Sequence, residues 1–91
     1  MYQYEQEKES LIGRLKRIEG QVKGIMRMVE DGRYCPDILQ QAAAVTAAMD
    51  EVSLILLRSH ISGCVKEAIV QNQGDGPIEE LIAVVRKVIR R

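Results

Sequence analysis

Phenylalanine and tryptophan are absent from the 91 residues, and three tyrosines are the only aromatic side chains. A core without large rings must be filled by Ala, Val, Ile, Leu and Met, a set that favours helix packed on helix. Only two prolines occur, Pro36 and Pro77, and both fall where a helix is expected to begin. No apolar run reaches the ~18 residues of a membrane span. The opening Met1-Tyr2-Gln3-Tyr4-Glu5 lacks the pattern of a secretory signal. The expectation is a chain that stays in a reducing cytoplasm with no membrane partner. In that compartment cysteines serve metal or redox chemistry more readily than a structural disulfide. A carboxylate pair, a nucleophile–base arrangement and a phosphate loop are also missing, so neither an enzyme nor a small-molecule substrate is expected.

Net charge is lacking too: thirteen Lys and Arg balance thirteen Asp and Glu. The distribution is not balanced. Arg14, Lys16, Arg17, Lys23 and Arg27 face a single acid, Glu19, between Gly13 and Arg27, and Arg86, Lys87, Arg90 and Arg91 crowd the last six positions. From Met28 to Val85 there are nine acids and three bases. Segregation of this kind fits a polyanionic partner despite the zero sum.

What is present in small number carries the chemistry. Cys35 and Cys64 are the two cysteines and His60 is the single histidine. His60 and Cys64 stand four apart in a stretch that reads as helix, so both side chains leave one face about a turn apart. Two thiolates and an imidazole form a soft donor set, suited to Cu(I) or Zn(II) and poorly suited to Mg(II) or Ca(II). The competing reading is two inert apolar cysteines and a surface histidine. Helix geometry decides between them.

One domain, residues 1–91, is expected, all-α and three-helical. Leu11, Leu15, Ile18, Val22, Ile25 and Val29 form the apolar stripe of a first helix from about Glu5 to Glu30. Gly13, Gly20 and Gly24 share another of its faces, as a close approach to a backbone or a phosphate requires. Asp31-Gly32 reads as the stop. A second helix is expected from about Pro36 to Gln71, with Gly63 a blemish inside it, and Gln73-Gly74-Asp75-Gly76 as the following turn. Pro77 opens the third, striped by Ile78, Leu81, Ile82, Val85 and Ile89.

The second helix, roughly 50 Å long, outgrows a globule of this size, which predicts self-association. Cys35 and His60 lie about 37 Å apart along it, too far to share an ion within one chain. In an antiparallel dimer Cys35 faces His60 and Cys64 of the other chain. The crossing falls near Ala48, among Ala42, Ala43, Ala44 and Ala47, which permit close approach. A two-fold axis there generates two equivalent sites. Structural Zn(II) wants four ligands, and nickel and cobalt prefer more nitrogen and oxygen, so this set suits Cu(I).

Arg14-Leu15-Lys16-Arg17-Ile18-Glu19-Gly20-Gln21-Val22-Lys23-Gly24-Ile25, the Tyr34-Cys35 step, Asp37-Ile38-Leu39-Gln40-Gln41 and the His60 to Cys64 spacing resemble the CsoR/RcnR/FrmR family of small helical repressors. The resemblance covers about Lys8 to Val88. It implies a three-helix protomer, an antiparallel dimer and a dimer-of-dimers tetramer. It also implies binding of double-stranded operator DNA without a helix-turn-helix, and release on effector binding. Copper sensors of the family carry Cys, His and Cys at the positions of Cys35, His60 and Cys64. Nickel and cobalt sensors have His in place of Cys64 and use an N-terminal His where this chain has Gln3. Persulfide sensors lack the His, and formaldehyde sensors rely on an N-terminal Pro that is absent here. By the same resemblance Tyr34 and Glu80 support the ligands and link them to the third helix. The implied function is a Cu(I)-released repressor of copper-resistance or efflux genes, with Arg14, Lys16, Arg17 and Lys23 on DNA. Its rival is a thiol- or persulfide-sensing repressor using Cys35 and Cys64, in which the imidazole has no task. The chain departs from several members at Asp50-Glu51, where they carry a basic residue, which confines the expected DNA contacts to the first helix and the C-terminal basic residues.

Overall fold

A computed structural model describes residues 5–89, so Gln3, Arg90 and Arg91 lie outside the described residues. Within them no strand is formed. A 3-10 turn, Glu5–Glu7, leads into α1, Lys8–Glu30; α2 covers Cys35–His60; a π-helical turn, Ile61–Val65, joins it to α3, Lys66–Val70; and α4 covers Asp75–Ile89. The all-α, three-segment expectation holds, with α2, the π turn and α3 as one long helical run. Two details differ. Gly63 is part of a widened turn instead of sitting in regular helix, and α4 starts two residues before Pro77. The Gly74 carbonyl accepts the Ile78 N–H at 3.0 Å and so closes the first turn of α4. Pro77 falls among the opening positions, whose N–H groups have no intrahelical acceptor, so its missing donor costs nothing.

The described residues form two compact units, 5–56 and 57–89, with the boundary inside α2. In the first, the α1 stripe splits into two seams of seven-residue spacing. Leu11 and Ile18 are buried and Ile25 is half-buried, whereas Leu15, Val22 and Val29 keep 37%, 40% and 60% of their surface. The second seam is thus left in water by its own chain. Val52 is buried from the α2 side, and Leu39, Met49 and Leu54 stay exposed.

The end of α1 is built as its sequence predicts. Gly32 N–H donates to the Val29 carbonyl at 3.1 Å and Arg33 N–H to the Met28 carbonyl at 2.9 Å, while Gly32 takes φ +66°. These paired bonds and the left-handed residue make a Schellman stop. A Cβ at that φ is penalised, so Gly32→Ala is expected to cost about 1–2 kcal/mol in urea unfolding without changing helix content. An unchanged midpoint would show that the turn relaxes to another conformation.

In the second unit α3 ends by the same device, with Asn72 at φ +60° in place of glycine. Its N–H donates to Ile69 and that of Gln73 to Ala68, at 3.0 and 2.7 Å. Asn tolerates this conformation better than other residues with a Cβ. Gly74 is held there by space: a Cβ would meet Ile69 Cγ1 at 2.7 Å. The π turn packs against α4, and Val65, its last residue, is buried together with Ser59.

Candidate functional site

Cys35 is the first residue of α2, with its thiol free and exposed. The carbonyl of Tyr34 caps this start, accepting the N–H groups of Asp37 and Ile38 at 3.0 and 3.4 Å, and the Tyr34 ring keeps 73% of its surface. The cysteine is thus presented at the rim of a fixed helix start, away from any core.

His60 is the last residue of α2, and Cys64 lies inside the π turn that follows; both are half-buried. The turn is defined by the Lys66 N–H reaching back five residues to the Ile61 carbonyl. Widened turns of this type store a local departure from helix regularity and are frequent at functional sites. Here the departure occupies the four-residue step between the two donor side chains. The turn that carries Cys64 is also the one that α4 packs against.

Glu79 and Glu80 are exposed in the first half of α4. Among the described residues of one chain, no hydrogen bond joins Glu80 to His60, and no group of three or more His, Cys, Asp or Glu side chains gathers as a metal site. The donor chemistry is present, two sulfurs and an imidazole on fixed elements. It is soft, and it fits a Cu(I) ion better than a hard divalent cation.

Arg14, Lys16, Arg17 and Lys23 are all exposed on α1. A Cβ added at Gly13, Gly20 or Gly24 would touch nothing within 4 Å in the chain. Packing inside one protomer therefore does not account for these glycines, each costing roughly 1 kcal/mol of helix propensity. Asp50 is half-buried and Glu51 exposed on α2, so acidic charge does stand there. A concavity of about 350 Å³ lies between α1 and α2, lined by Arg27, Arg33, Gln21 and Gln41 among others. Its sequence signal was slight, since Arg33 is a lone base beside the Asp31-Gly32 stop.

A helical chain with a soft Cys/His donor set and a basic, glycine-bearing first helix defines a class: residues 7–87 match the family model described as metal-sensitive transcriptional repressor, and the chain belongs to that family. The family is one of repressors, not of enzymes. The chain is 53% identical over 81 residues to the copper-sensing transcriptional repressor CsoR of Bacillus subtilis, covering 89% of this chain and 80% of that one. It is 43% identical over 89 residues to the copper-sensing repressor RicR of Mycobacterium tuberculosis, covering 96% and 93%. Among solved structures, the copper-sensing repressor CsoR with Cu(I) from Geobacillus thermodenitrificans matches with a TM-score of 0.88 at 45% identity, over 93% of this chain and 88% of that one. The nickel-responsive regulator InrS matches with a TM-score of 0.77 at 34% identity, over 87% and 89%. The fold is thus shared by proteins named for different metals, and the choice of metal rests on the ligands.

Proposed function

We propose that this chain is a Cu(I)-responsive transcriptional repressor acting as one domain over residues 1–91 in the cytoplasm. The reading rests on one observation above others: the donor set Cys35, His60 and Cys64 is soft and three-membered, in a chain whose relatives are named copper sensors. In the metal-free state Arg14, Lys16, Arg17 and Lys23 hold phosphates of operator DNA. Cys35 of one protomer with His60 and Cys64 of another, across an antiparallel dimer, would hold Cu(I), which would supply a soft cross-link between the chains. Tyr34 and Glu80 orient the ligands. An imidazole bound through one nitrogen donates its other N–H to such a partner, and Glu80 stands on α4, which packs on the turn carrying Cys64. Two dimers make the tetramer, consistent with the exposed α1 seam. Release of DNA then derepresses copper-resistance or efflux genes.

The test is an anaerobic Cu(I) titration of the complex with an operator duplex recovered from genomic fragments by gel shift. Anisotropy of a fluorescein label is expected to fall as copper fills the sites, and to stay level with Zn(II) or Ni(II). Release by sulfide or polysulfide with a mass increase joining Cys35 to Cys64, and none by copper, would establish the thiol-sensing rival instead. A further expectation concerns α1. Lys23→Gln should lower the slope of log affinity against log salt by about 0.9, the value of one phosphate contact, whatever the duplex sequence. An unchanged slope would remove Lys23 from the interface.

A further inference from the structure

The concavity between α1 and α2 lies wholly within the first unit and is walled by the corner that joins the two helices. Arg27 enters it from the last turn of α1 and Arg33 from the Schellman stop; Gln21 and Gln41 line it from α1 and α2. Among the described residues, neither arginine makes an ion pair. The helix C-terminus explains part of this: α1 ends here, and its carbonyl dipole favours cations. Gln21 Oε1 is buried without a hydrogen-bond partner and has no surface open to the concavity, so that atom takes no part in binding there. An anion entering the concavity meets two guanidinium forks and the Gln41 amide. Asp31 also lines it, leaving one net positive charge.

We propose that this concavity is a phosphate-binding clamp for the DNA backbone, formed by Arg27 and Arg33 with the Gln41 amide, and extending the α1 contact surface to the α1–α2 corner. It rests on the DNA-binding reading above. Guanidinium pairs suit the bidentate geometry of phosphate oxygens. The position is fixed, because the Arg33 backbone is tied to Met28 by the Schellman bond. Asp31 sets a limit on affinity: its carboxylate repels the phosphate it faces.

The probe is a fluorescein-labelled duplex of about 30 base pairs, titrated with the full-length metal-free chain over a series of salt concentrations, since phosphate contacts are independent of sequence. The slope counts phosphates and not arginines, so Arg27→Gln and Arg33→Gln together are expected to lower the log–log salt slope by about 0.9, the value of the one phosphate that the clamp holds, and each alone by part of that. Arg33→Lys should retain the slope, because the charge remains. Asp31→Asn should tighten binding several-fold, an effect that no merely structural role predicts. Circular dichroism and sedimentation of every variant check folding and assembly. If Lys23→Gln lowers the slope and the Arg27 and Arg33 variants do not, the clamp is overturned while the DNA reading stands. If the arginine variants alter assembly and leave the slope intact, the concavity belongs to contacts between copies of the chain, and the clamp is again overturned. If the wild-type chain binds no duplex, both readings fail.

Discussion

Cys35→Ala is expected to leave operator binding intact and to abolish its release by Cu(I). The thiol stands exposed at the start of α2, contributing nothing to a core, so its loss should cost little stability. In the proposed arrangement it removes one of the two sulfur ligands of each site, and the only ligand that Cys35's protomer gives to that site, leaving no cross-link between chains. His60→Ala should behave differently. In the proposed site two thiolates still hold a soft ion, so copper binding persists, but the imidazole whose second N–H is proposed to meet Glu80 is gone and release is lost. The coupling at stake is typically ~1–3 kcal/mol, or 5–150-fold in DNA affinity, and copper must bind the DNA complex more weakly by the same factor. Anaerobic anisotropy titrations of the two variants beside the wild type measure all of this. Copper-driven release by Cys35→Ala at wild-type concentrations would end the proposed mechanism.

Val22→Asp is expected to dissociate the assembly. Val22 is the middle residue of the seam that α1 leaves in water, between Leu15 and Val29. Val22 keeps 40% of its surface, so covering that share contributes about 1 kcal/mol, and a two-fold interface counts each substitution twice. The loss is then about 2 kcal/mol, or roughly thirty-fold in the dissociation constant, before the cost of burying a carboxylate. Sedimentation velocity at micromolar concentration should show the shift from tetramer to dimer, with Cu(I) still bound stoichiometrically, since the proposed ligands meet within the dimer. A variant that sediments as the wild type would mean that the seam faces solvent in the assembly. Placing the charge at Ile18 is less informative, because that side chain is buried in its own chain and unfolding would mimic dissociation.

The helices were legible because their signals are local. The 3.6-residue stripe of α1, the Asp31-Gly32 stop and the Pro36 start depend on neighbours within a few residues, and the structure keeps them to within a residue or two. The π turn was not legible. Gly63 marks a weak point, but whether the helix absorbs it by widening is settled by what packs on it, here α4 against 61–65 and the burial of Val65 and Ser59. The division of the α1 stripe into an inward and an outward seam was equally hidden, because Leu15 and Ile18 read alike as apolar. The corner concavity escaped for a related reason: Gln21, Arg27, Arg33 and Gln41 converge from two helices and share no motif.

By itself, the sequence determined the helical class, the soft donor set and the basic first helix, all of which follow from residue type and short-range spacing. Those properties survive any arrangement of the helices. Tertiary structure alone decided which apolar residues leave water, where the helical run widens between His60 and Cys64, and which polar side chains meet at the α1–α2 corner. Each of these depends on groups distant in the chain, whose burial and contact energies exist only once the helices have packed.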